Sequence, residues 1–166
     1  MTDTTLTPAR LWKHMTLDQR TRIARAFWAD PDATDDQVQA ALVIAQQKKF
    51  RPKTVIGLDV DRKARHLATL GAMPDQIAAR ALIVYHLAEQ RPMMGAFLDA
   101  LGIAHQDGLI QEDEVKPDTA RIGAAAAQIA KQFPPDDVRI YLSTLLCQDP
   151  DTWGQLRTVL ESPAAR

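Results

Sequence analysis

Residues 91–110, RPMMGAFLDALGIAHQDGLI, join the most apolar helical pattern of the chain to a compact polar turn. Met94, Phe97, Leu98 and Leu101 recur at helical spacing, which predicts a helix with one face pressed into a core. Gly102 stops that helix, because a glycine just past the last periodic residue takes the left-handed conformation without a Cβ penalty. Ile103 can then fold back onto Leu98, as in a Schellman ending. His105, Gln106, Asp107 and Gly108 follow as a polar turn, where Asp bonds nearby backbone donors and Gly tolerates positive φ. Leu109 and Ile110 re-enter apolar surroundings.

On both sides of this stretch the pattern is helical. Thr7-Pro8 opens a short helix over 8–14, anchored by Trp12. Thr16 with Gln19, and Thr34 with Gln37, have capping-box spacing and open the two helices of a pair over 16–50. Their inward faces are read as Leu17, Ile23, Ala24, Phe27 and Trp28 in the first, and Val38, Ala41, Leu42 and Ala45 in the second. Beyond a connector containing Gly57, a second pair spans 59–90. It is capped by Asp59 and carries Val60, Ala64, Leu67 and Ala68, then Ile77, Ala81, Val84, Tyr85 and Ala88. The central helix and turn occupy 93–110, and an acidic connector over 111–116 follows. A third pair over 117–147 starts at Pro117 and Pro135, and a last helix covers 150–161. No segment alternates as a half-buried strand does, so the expected fold is all-α, a single domain over 1–166 of about eight or nine helices in antiparallel hairpins.

Composition fits that class. The 166 residues are 46% hydrophobic and 25% charged, and the net charge of -1 argues against wholesale binding to nucleic acid or an anionic membrane. A lone cysteine, Cys147, excludes an intrachain disulfide and suits a reducing compartment. The N-terminus MTDTTLTPAR has no apolar core of a signal peptide, and no run is long enough to cross a bilayer, so cytoplasm is expected and membrane insertion is not.

Asp36-Gln37-Val38 and Asp75-Gln76-Ile77 open two helices 39 positions apart, and the Arg-Pro steps that close them, Arg51-Pro52 and Arg91-Pro92, are 40 apart. A helix-pair period of that size resembles HEAT-like α-solenoids, in which each unit buries its face against its neighbours. The resemblance implies helix-pair stacking; the alternative is that antiparallel hairpins with ordinary helices and loops give the same spacing by chance.

Three sets of residues are candidates for function. His105 and Asp107, with His66 and His86 on the second helix pair, form the candidate metal or acid-base group, although no two histidines stand at i, i+4. The bland alternative is that His105 caps a helix end and Asp107 bonds to its own turn. Lys48, Lys49, Arg51, Lys53, Arg62, Lys63 and Arg65 oppose only Asp59 and Asp61, a local charge of +5 over 48–66, and Phe50 lies among them. Residues 99–118 carry a local charge of -5, and oppositely charged stretches of equal size fit complementary surfaces that face each other within the fold or meet between copies of the protein. Nucleic acid is the less favoured partner for the basic segment, given one aromatic and a near-neutral total. Neither a nucleophile motif nor a glycine-rich phosphate loop is present. The expectation is therefore a non-catalytic protein-interaction or assembly module needing no cofactor. Its partner is another protein or a second copy; the alternatives are a metal- or acid-base-dependent enzyme at His105/Asp107 and nucleic-acid binding through 48–66.

Overall fold

Several helix starts follow the capping chemistry of the sequence. In the computed structural model, which describes residues 5–161, Thr7 Oγ1 accepts from the Arg10 amide at 3.2 Å to begin α1 (Pro8–His14). Thr16 and Gln19 complete a reciprocal capping box, at 3.1 and 2.9 Å, for α2 (Leu17–Ala29). The box expected at Thr34 and Gln37 does not form. Thr34 is already the first residue of α3 (Thr34–Lys48), and its hydroxyl donates to the Pro31 carbonyl. Gln37 instead donates to the Phe27 and Asp30 carbonyls at 2.9 and 2.7 Å, which places an amide donor on the orphan acceptors at the end of α2.

The connector after α3 contains a one-turn helix, α4 (Pro52–Ile56), pinned by buried Val55. Asp59 accepts from the Arg62 amide at 2.8 Å and starts α5 (Val60–Ala68), and α6 (Asp75–Glu89) follows. The chain continues into α7 (Arg91–Leu101), the strands β1 (His105–Gln106) and β2 (Leu109–Ile110), and α8 (Thr119–Gln132). It then forms α9 (Pro135–Gln148), α10 (Pro150–Trp153) and α11 (Leu156–Glu161). The architecture is all-α, and the four strand residues are its only sheet among the described residues. Asp118, not Pro117, caps α8, and the expected last helix is divided at Gly154 into α10 and α11. None of the described helices is long and apolar enough to cross a membrane.

The helices gather into two compact units, one over Thr7–Glu89 and one from Gln90 onward together with Thr5 and Leu6. In the N-terminal unit α2 packs on both α5 and α6, α1 on α6, and α3 on α4, so helices of neighbouring pairs stack. Ile23, Phe27, Ile44, Val55, Leu67 and Leu82 are fully buried. Three faces differ from the periodicity. Leu17 is half exposed at the first position of α2, and Ala88 is exposed near the end of α6. On α3, Val38 and Leu42 are 40% and 44% exposed, whereas Ala40, Ala41, Ile44 and Ala45 are buried. That helix has two overlapping apolar arcs, and the one with three alanines and an isoleucine allows the closer approach to its neighbours. Val60 is only partly buried.

The core of the C-terminal unit is built on α7. Met93, Phe97 and Leu101 meet Ile122 and Ile129 of α8, Val138, Tyr141 and Leu142 of α9, and Trp153 and Leu156 beyond it. Phe97 stands edge-on to Tyr141, with ring centroids 5.8 Å apart, a favourable quadrupolar arrangement. Met93 takes the fully buried place expected of Met94, which is only partly covered, since the helix is rotated to bring Gly95 against the hairpin.

Candidate functional site

The end of α7 is a complete Schellman motif. Gly102 adopts φ +71°, its amide donates to the Asp99 carbonyl at 3.0 Å, and the Ile103 amide donates to the Leu98 carbonyl at 2.9 Å. Two residues later the polar turn is a hairpin with His105 opposite Ile110 and Gln106 opposite Leu109. Its two loop residues, Asp107 and Gly108, both have positive φ, +53° and +85°, which makes a type I′ turn. The Asp-Gly pair between two short apolar segments carried that signal in the sequence; the expectation had stopped at a turn.

His105 ties the hairpin to α7. Its Nδ1 accepts from the Gly108 amide at 3.0 Å, so the proton sits on Nε2, which donates to Asp99 Oδ1 at 2.7 Å. The acid paired with His105 is thus Asp99, not Asp107, whose backbone carbonyl accepts from Arg91 at 3.3 Å. This histidine has an orienting carboxylate, as a catalytic base does, but its one lone pair is already bonded to a backbone N–H. Replacing His105 with alanine should cost about 1–2 kcal/mol, because the buried Gly108 amide loses its acceptor. Hydrogen exchange reads this directly: the Gly108 amide should exchange faster in the variant, and unchanged protection would refute the clamp.

His66 and His86 lie in the other unit. His86 is buried on α6, and its Nδ1 donates to the Leu82 carbonyl at 2.7 Å; burial holds its pKa down at about 4, so it is neutral near pH 7. Among the described residues no three His, Cys, Asp or Glu side chains are grouped so as to hold a metal ion.

The basic segment is divided by its contacts. Arg62 pairs with Asp59 at 3.6 Å, Lys63 lies over the Trp28 ring, and Asp61 is occupied by Arg25 at 2.8 Å. Among the described residues Lys48, Lys49, Arg51, Lys53 and Arg65 have no carboxylate partner, and all but Lys48 are exposed. Phe50 and Ile56, 40% and 50% exposed, stand among them. Of the two acids in the segment, Asp59 neutralises a cation of the segment itself and Asp61 one from outside it, Arg25, so five cations stay without a carboxylate.

Lys48 is held where the ends of α3 and α5 meet. Its Nζ donates to His66 Nδ1 at 3.2 Å and to the Thr69 hydroxyl, which in turn donates to the Arg65 carbonyl at 2.8 Å. Burial lowers the pKa of both Lys48 and His66, and for His66 the charges of Lys48 and Arg65 add to that effect.

In the C-terminal unit the acidic connector borders a cavity of about 520 Å³. Glu112, Asp113 and Glu114 line it with Ile110 and Val115, and Asp149 and Trp153 close the other side. Asp149 caps α10 through Thr152, whose hydroxyl and amide hold its carboxyl below the usual carboxylate range. The three connector acids are exposed and have no cationic partner among the described residues. Asp149 was not legible as part of this surface, since only folding brings it beside residues 112–114.

Compared with known proteins, the chain matches no family model, no curated protein and no solved structure.

Proposed function

We propose that the chain is an assembly module in which the basic face of one copy docks on the acidic connector of another. The observation that carries this reading is a pair of exposed, opposite charge clusters, each without a partner in its own chain among the described residues: Lys49, Arg51 and Lys53 on one unit, Glu112, Asp113 and Glu114 on the other. Apolar side chains accompany both clusters, Phe50 and Ile56 with the cations and Leu109 with the acids, all 40–50% exposed. Charge then directs the encounter, and the apolar groups supply contact that persists once water is excluded. The stacking of helices from neighbouring pairs supports such a role, because it presents extended surface.

Sedimentation velocity tests the proposal. At low ionic strength the protein should sediment faster than a monomer, and at about 0.5 M salt, where charges more than a few ångströms apart are screened, it should return to monomer. Reversing Lys49, Arg51 and Lys53 to glutamate should abolish association, as should reversing Glu112, Asp113 and Glu114 to lysine, whereas an equimolar mixture of the two variants should associate again. A monomer under all conditions, or variants that associate as the native chain does, would overturn it.

A further inference from the structure

We infer that Lys48, Arg65 and His66 form a binding site for a phosphoryl oxyanion. The Lys48 ammonium is fixed by two groups: the Thr69 hydroxyl, itself anchored on the Arg65 carbonyl, and His66 Nδ1 at 3.2 Å. The platform beneath it is also fixed, because the Gln47 amide bonds both the carbonyl and the amide of Ala72 and so joins the end of α3 to the loop after α5. Lys48 uses two of its three N–H groups on these partners and keeps one for a ligand. Arg65 is exposed and its charge acts on the same imidazole, and Phe50 meets the His66 ring edge-on with centroids 5.2 Å apart.

What is missing from this cluster is negative charge. The nearest acids in sequence, Asp59 and Asp61, are committed to Arg62 and Arg25, so two cations, Lys48 and Arg65, and an imidazole share one place with no carboxylate to balance them. Burial lowers the pKa of Lys48, and it lowers that of His66 with the neighbouring charges of Lys48 and Arg65 adding to the effect. A dianion with oxygens in several directions answers all of these groups at once, as a planar carboxylate does not. This inference goes beyond the assembly reading and does not depend on it, since Lys48 and His66 take no part in the docking contact.

The test is a titration of the whole chain with inorganic phosphate at constant ionic strength, followed by NMR of the His66 imidazole, with sodium chloride as the ionic control. Saturable shifts with a dissociation constant on the order of 1 mM are expected. Lys48→Met should weaken binding about tenfold or more, through loss of a charged hydrogen bond, and Lys53→Met, on the same basic face but outside the cluster, should leave it within about twofold. His66→Gln, read through the Lys49 and Phe50 amides, gives a second variant should Lys48→Met alter the fold. A mononucleotide arm distinguishes free phosphate from an esterified one: tighter binding with a shift of the Phe50 ring identifies a nucleotide source, and equal affinity identifies the phosphoryl group alone. No saturation by about 20 mM phosphate, the same response to chloride, or equal losses in Lys48→Met and Lys53→Met would overturn the site and leave the assembly result standing.

Discussion

Gly108→Ala is expected to destabilise the C-terminal unit by about 3 kcal/mol. Gly108 sits at φ +85°, and a Cβ built on it lies 2.8 Å from Met94 Cβ and 3.2 Å from the Arg91 carbonyl oxygen. Neither neighbour is the free end of a flexible side chain, so the hairpin would have to lift away from α7. Lifting it would also pull the Gly108 amide from His105 and open the approach of His105 to Gly95, where a Cβ would meet the imidazole at 3.2 Å. Asp107→Gly is the matched control: it keeps the left-handed turn, adds no atom, and should change stability by less than about 1 kcal/mol. Chemical denaturation of the two variants compares them directly, and an alanine at 108 tolerated as well as a glycine at 107 would show that the hairpin does not bear on α7.

Acid should weaken the N-terminal unit through His86. In the folded chain its pKa is about 4, against an ordinary 6.5, because burial penalises the imidazolium. The unfolded chain therefore binds the proton more readily between these values, so stability is fully present above about pH 6.5 and falls as pH drops toward 4. At about 1.4 kcal/mol per tenfold change in protonation, the loss from this residue approaches 3 kcal/mol. Carboxylates titrate near the lower end of the window, so the decisive quantity is the difference between the native chain and His86→Leu. Denaturant unfolding from pH 7.5 to 4 should show a shallower pH dependence in the variant, and parallel curves would mean that His86 takes up its proton without cost in the fold.

The two residues illustrate how far local chemistry reaches. Helix existence, most caps and the glycine ending of α7 are short-range matters: Thr16 with Gln19, Asp59 with Arg62 and Gly102 with Asp99 are all settled within three residues. The type I′ turn belongs to the same class, since Asp107-Gly108 is among the few pairs that accept two positive φ values in succession. The capping box expected at Thr34 failed because Gln37 found better acceptors seven to ten residues back, at the open end of α2. Periodicity misassigned Val38 and Leu42 for a related reason: a helix with two apolar arcs does not say which one its neighbours will cover.

The candidate sites were less legible than the fold. Histidine and acid occur together at 105–107, but the carboxylate that reaches the imidazole comes from Asp99, one helix ending earlier, and the lone pair that catalysis would need is taken by Gly108. The charge of the basic segment could be counted, whereas its free part could not, because Arg25 and Trp28 lie more than 30 residues from the Asp61 and Lys63 they engage. Chain-local interactions, covering a few residues and one or two hydrogen bonds, are encoded by adjacent side chains and so determine the helices and their ends. Burial, charge compensation and the partner of each polar group depend on atoms distant in sequence, and they become defined only when α2 meets α5 and the hairpin closes onto α7.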